Sequence, residues 1–239
     1  MITNTNVSKA IESMKKGETI LIYDADDREG ETDLAIPAIR MTPKDVTRFR
    51  SDGGGLLCVA LHPDAAVKFG LPFISDLLRS AGKNGFSPIR KVVEKSGDIP
   101  YDKKSSFSLW VNHRNTYTGI TDIDRALTIN EIGNIVEKAR NEETVDFGRE
   151  FRSPGHVALL RAAEGLLDER RGQTELSIAL SILAGTNPAV AICEMLDGST
   201  GKALSKEDAK RYASENGFVF VEGHEIVESF KNHAQDTEQ

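Results

Sequence analysis

An alternation constrains this chain more than anything else in it. Short apolar, β-favouring runs recur from end to end, separated by stretches with helical periodicity and readable caps. The runs are residues 19–23 (TILIY), 34–39 (LAIPAI), 56–61 (LLCVAL), 105–112 (SSFSLWVN), 190–195 (VAICEM) and 218–221 (FVFV). Residues 157–161 fit a strand or a helix start equally well by pattern. Val7, Ala10, Ile11 and Met14 repeat at helical spacing ahead of Gly17, a C-cap. Thr42 and Pro43 are an N-cap and a first-turn proline, opening a helix through Phe49 that the glycines of 52–55 end. Thr128 and Glu131 match a capping box for a helix through Ala139. Thr174 and Ser205 cap two more, and a last helix covers 224–232, leaving 233–239 as a frayed tail. No linker, repeat or composition shift divides the chain. The expectation is a single mixed α/β or α+β domain over 1–239, with sheet and helices sharing one core.

Charge and cysteine usage narrow the class. A net charge of −7 does not suit a nucleic-acid or anionic-membrane partner, although a local arginine cluster can still hold a small anion. Cys58 and Cys193 sit in apolar runs and read as buried free thiols of a reducing compartment. The N-terminus lacks an apolar signal segment, and no run approaches the ~20 apolar residues of a membrane span. A cytoplasmic protein is expected.

Residues 24–33, DADDREGETD, place six carboxylates between two apolar runs. A calcium EF-hand is excluded, because Arg28 and Glu29 stand where that loop needs an oxygen ligand and glycine. A magnesium-type site fits better: Glu29 and Glu31 share one side of an extended segment, and Gly30 lets the backbone turn. Arg28 would orient a carboxylate or hold substrate. His156, after the Pro-Gly turn of RSPGHV, is either a structural histidine or a general acid/base. In ERRGQTE, Arg170 and Arg171 precede a helix start, the makings of a phosphate site. Glu194 interrupts an apolar run, as a partnered buried carboxylate, a strand-end residue or an acid/base. GITDIDR reads as a polar loop, and SDGGG lacks the spacing of a nucleotide-binding loop.

DADDREGETD, GGGLLCVALHP, YTGITDIDRALTI, FRSPGHVALLRAAEGLL, RRGQTE and ICEM occur in one order over nearly the whole chain. On these the chain resembles the 3,4-dihydroxy-2-butanone 4-phosphate synthases, in their single-function archaeal-like form. The resemblance implies an α+β fold, a homodimer, and conversion of D-ribulose 5-phosphate to 3,4-dihydroxy-2-butanone 4-phosphate plus formate in riboflavin biosynthesis, with Mg2+ or Mn2+. It implies metal binding by Glu29 with support from Glu31, and substrate contacts by Arg28 and Asp33. His156 and Glu194 are implied to be essential, with Asp24 contributing from the strand end. Arg170, Gly172 and Thr174 are implied to hold the phosphate.

One position departs from the family pattern. The GHT motif, whose histidine is a metal ligand, reads Gly172-Gln173-Thr174 here. Three readings stand at this stage: Gln173 binds metal through its carbonyl oxygen; the metal rests on Glu29, Glu31 and substrate oxygens; or the chain is a weakened or inactive variant that binds sugar phosphate without turnover.

Overall fold

The structure, a computed structural model, describes residues 4–237. Helix α1 (Thr5–Lys16) starts where the Asn4 side chain accepts from the Asn6 and Val7 N–H groups, and stops at Gly17 with φ 75°. Strands β1 (Ile20–Tyr23) and β2 (Thr32–Pro37) follow, then α2 (Pro43–Arg48), β3 (Cys58–Leu61), α3 (Pro63–Lys68) and α4 (Ile74–Lys83). Next come β4 (Phe107–His113), α5 (Asp122–Arg140), α6 (Phe147–Glu150), β5 (Phe151–Arg161), α7 (Gln173–Leu183) and β6 (Ala189–Glu194). A short hairpin, β7 (Leu196–Asp197) and β8 (Lys202–Ala203), leads to α8 (Lys206–Asn216), β9 (Val219–Glu222) and α9 (Gly223–Thr237).

Among the described residues the main sheet has seven strands in the order β4-β5-β3-β6-β2-β1-β9. The β1–β9 and β3–β5 pairs are parallel and the rest antiparallel, so the sheet is mixed as expected. Its strands carry apolar side chains on both faces because helices cover both. One core packs Val59, Leu34 and Val157 against α2, α5 and α8 through Val46, Ile129, Ile132 and Ala209. The other packs Ile20, Ile22 and Ile192 against α1, α7 and α9 through Met14, Leu176 and Ile226. The result is an α+β fold with the sheet sandwiched between helix layers.

Several sequence expectations shift. Helix α5 begins at Asp122, not Thr128, because Thr121 accepts the Asp124 N–H and caps it first. Thr128 lies inside that helix, where its hydroxyl bonds the Asp124 carbonyl and receives the His113 N–H. Thr174 is no cap either: Gly172 is the N-cap of α7 and makes no side-chain cap bond. The Pro-Gly turn sits inside a strand. Val111 pairs with Val157 and its neighbour Asn112 with Arg152, so residues 153–156 loop out of β5 and the ladder then resumes. Helix α9 runs to Thr237, taking in most of the expected tail, while residues 238–239 lie outside the described residues. Helices α3, α4 and α6 went unread: α3 and α6 are only six and four residues long, and α4, ten residues long, has no side-chain cap to announce it.

Candidate active site

β1 and β2 are antiparallel neighbours, with Tyr23 opposite Thr32, so residues 24–31 form one hairpin connection. Asp24 folds this acidic loop onto itself. It is buried, and its two carboxylate oxygens accept the Glu29 N–H at 3.1 Å and the Glu31 N–H at 3.0 Å. Asp24 thus spends its oxygens on loop geometry, and it lines a groove that Arg28 and Arg170 also line, beside the cavity described next.

The sheet supplies that cavity's base. Asp33 on β2 is paired with Glu194 on β6, and side chains so opposed share a face about 5 Å apart. Asp33 is 1% exposed, and its Oδ1 has no hydrogen-bond partner. Burial, then Glu194 and Glu29, push its carboxyl well above the usual range. Glu194 is half-buried, and its Oε2 accepts the Leu56 N–H at 2.8 Å. The glycine run now has a use: Gly55 donates to the Glu194 carbonyl at 3.0 Å, and a Cβ there would collide with the Glu194 side chain. Cys58 reaches the same cavity, its thiol raised by burial and then by Glu194.

A cavity of about 120 Å3 opens over this pair, walled also by Glu29, Gln173, Thr174 and Arg170. Gln173 is 6% exposed. Its Nε2 donates to the Ile22 and Glu31 carbonyls, both at 3.0 Å. Those two acceptors fix which end of the amide is nitrogen, and Oε1 is left buried with no partner. Burial and then Asp24 raise Glu29; burial and then Glu29 raise Glu31 to about 7. Glu31 lies within electrostatic reach of Glu29 and Glu194 but does not wall the cavity. Among the described residues, no three His, Cys, Asp or Glu side chains gather as a ready metal cage. What converges is carboxylate with an unsatisfied amide oxygen, a hard-oxygen set that suits a magnesium-like ion completing its shell from water or ligand.

Arg170 lies at the rim. Its Nη1 donates to Glu175 at 2.6 Å and its Nε to Asp102. Burial alone would weaken its charge, yet Glu175 and Asp102 hold it firmly protonated. Gly172 leaves room for this guanidinium to lie across the start of α7, where a side chain would strike it. With Thr174 in the first turn, the rim combines a cation with an uncapped helix N-terminus. Arg28 stands beside Arg170, joined to it through Asp102.

His156 lies elsewhere. It is exposed in the segment looped out of β5, and its backbone N–H donates to Asn112 Oδ1 at 2.8 Å while its Nδ1 lies 3.1 Å from Asn112 Nδ2. Gly119 packs on the same Asn112. Asp124, in the first turn of α5, accepts from the Tyr117, Thr118 and Gly119 N–H groups, so GITDIDR is a helix start rather than a polar loop, and it braces the turn that packs on Asn112. Sequence reasoning missed Asn112, Asp102 and Glu175. Asn112 lies at the end of an apolar strand, Asp102 becomes meaningful only beside arginines remote in sequence, and Glu175, five residues from Arg170, reads from sequence as an ordinary first-turn helix acid.

The sequence profile of the family 3,4-dihydroxy-2-butanone 4-phosphate synthase matches residues 8–229. A protein of that name from Methanosarcina mazei is 59% identical over 228 residues, covering 95% of this chain and 92% of its own. One from Archaeoglobus fulgidus is 60% identical over 223 residues, covering 93% of each. A solved synthase in complex with two magnesium ions superposes with a TM-score of 0.72 at 25% identity, covering 97% of each chain.

Proposed function

The chain belongs to the 3,4-dihydroxy-2-butanone 4-phosphate synthase family, and from that premise we propose that it converts D-ribulose 5-phosphate to 3,4-dihydroxy-2-butanone 4-phosphate and formate. The observation that carries the reading is the cavity over the Asp33–Glu194 pair, with Arg170 and a helix N-terminus at its rim. It pairs a proton-handling wall with a phosphate anchor, as enolisation and rearrangement of a sugar phosphate require.

In this reading Arg170, Gly172, Thr174 and Arg28 hold the phosphate and keep the reacting carbons against Glu194 and Asp33. Asp33, whose proton affinity is raised by burial and then by Glu194, takes or returns a proton. Glu194 shares that task from the adjoining strand. Glu29 and the Gln173 Oε1 would hold Mg2+ or Mn2+, with Glu31 in support. The ion, when bound, supplies Lewis-acid polarisation of the substrate's carbonyl. The pinned amide favours the first reading of Gln173, and the inactive alternative gains no support from this geometry or from relatives at 59–60% identity.

His156 does not line this cavity, so the reading includes a homodimer in which His156 enters the partner's cavity. In support, Tyr117, Ile120 and Ile123 beside it are 94%, 51% and 69% exposed, an apolar patch that water covers poorly. The buried free thiols Cys58 and Cys193 suit a cytoplasmic site of action. Among the described residues no helix is long and apolar enough to cross a membrane. Incubation with ribulose 5-phosphate and magnesium is expected to release formate and the four-carbon phosphate in equal amounts. A folded, metal-loaded protein that releases neither would overturn the assignment.

A further inference from the structure

The two cations that line the groove beside the cavity, Arg28 and Arg170, are already engaged. Asp102 Oδ2 accepts from Arg28 Nη2 at 3.2 Å and from Arg170 Nε. Arg28 Nη1 donates to the Tyr101 carbonyl at 3.3 Å, and its guanidinium lies 5.9 Å from the centre of the Tyr101 ring. Arg28 Nε is buried without a hydrogen-bond partner. Against the cost of desolvation, Arg170 and Arg28 hold the Asp102 carboxyl below the usual range.

Two carboxylates touch Arg170, and they differ in kind. Glu175 is fully buried on α7 and also accepts the Ala163 N–H at 2.9 Å, so the fold holds it in place. Asp102 belongs to residues 92–106, which contain neither helix nor strand, and beyond the arginines its carboxylate bonds only the adjacent Lys103 N–H. One is built in and the other is removable. With Asp102 in place, the two guanidiniums face three carboxylates: Asp24, Asp102 and Glu175. That excess of negative charge opposes a phosphate dianion, and withdrawal of Asp102 ends it.

We propose that Asp102 is a phosphate surrogate: in the ligand-free enzyme its carboxylate occupies the anion site formed by Arg28 and Arg170, and an incoming phosphate ester displaces it and frees the Tyr101–Asp102 loop. The proposal rests on the reading of Arg170 as the phosphate anchor. A carboxylate oxygen shared by two guanidiniums occupies the position a phosphate oxygen would take. A phosphate monoester brings three oxygens and nearly twice the charge, and therefore wins the exchange. The free enzyme keeps its two arginines apart and aligned, at the cost of some affinity.

Calorimetric titration of D-ribose 5-phosphate into the full-length protein, in EDTA at low salt, tests this. Asp102→Asn is expected to bind about fivefold more tightly than wild type, because the competent site is no longer occupied from within. Asp102→Glu keeps the charge and is expected within about twofold of wild type. Arg170→Gln is expected to weaken binding about tenfold or more. If Asp102→Asn binds equally or more weakly while Arg170→Gln fails to bind, Asp102 aligns the arginines and the surrogate is wrong. If Arg170→Gln binds like wild type, the anchor reading itself is wrong. Should Asp102→Asn not fold, Asp102→Ser takes its place with the same expectation.

Discussion

The cavity between β2 and β6 and the histidine edge of β4 and β5 are built by opposite means. In the cavity Asp33, Glu194 and Gln173 stand on regular elements, packed among buried neighbours and mostly cut off from water. At the edge, His156 sits on a segment expelled from its strand, beside side chains that face solvent. The first region carries unsatisfied groups that ask for a ligand, and the second carries unsatisfied surface that asks for a protein. On the proposed reading, a reaction that needs both draws on two chains, and association would finish its site.

The hardest blow to this comparison is Glu194→Ala. Turnover is expected to fall by about a thousandfold or more, since a proton-handling group is gone. Stability should drop by only about 1 kcal/mol for the lost bond to Leu56. A mutant near wild-type rate would show that the cavity is not where the chemistry occurs. Next is complementation. His156→Ala and Glu194→Ala, each inactive alone, are co-refolded and assayed. Random pairing into dimers with shared sites restores about a quarter of wild-type activity. No recovery, with hybrid dimers demonstrated, would mean each chain uses its own histidine.

The sequence made most of the cavity legible and much of the edge illegible, for physical reasons. Glu194 broke an apolar run, Arg170 preceded a helix start, and the acidic loop interrupted two strands; these are local contrasts that one chain displays. The seven-strand order, in which β2 lies between β1 and β6, depends on long-range pairing that no local pattern carries. The part Asp24 plays in folding the loop was not legible, because it requires knowing where the Glu29 and Glu31 amides point. The starts of α5 and α7 were misplaced because threonines at several positions could serve as caps, and tertiary packing chose among them.

Two smaller effects sharpen the account of the cavity. Gln173→His is expected to tighten manganese binding severalfold by calorimetry and magnesium binding far less, because an imidazole nitrogen suits a transition-metal ion better than a hard one that prefers oxygen. Equal manganese constants would remove Gln173 from the metal site. The pH dependence has a defined sign. Glu29, Glu31 and Asp33 have raised proton affinity in the fold, so the native state binds more protons than the unfolded chain above the ordinary carboxylate range. Their contribution to stability therefore declines as pH rises from about 4.5 toward 7. Magnesium, by favouring the ionised forms, should flatten that decline. Melting curves at pH 5, 6 and 7, with and without magnesium, would reveal a slope of the wrong sign or one indifferent to the ion.

The pairing of Asp33 with Glu194 also bears on which changes of length the gene can accept. Both residues face the cavity because β2 and β6 are in one register, and side chains alternate between sheet faces at every step. Deleting or inserting a single codon within either strand would turn its carboxylate into the opposite core, among Val59 and Ile132, while leaving composition nearly untouched. Residues 92–106 carry no such parity, and ahead of the stretch that carries Tyr101 and Asp102 they can change length at little cost. Drift in the size of this protein should therefore be confined to its loops, and a strand indel should behave as a null allele even where the protein still accumulates.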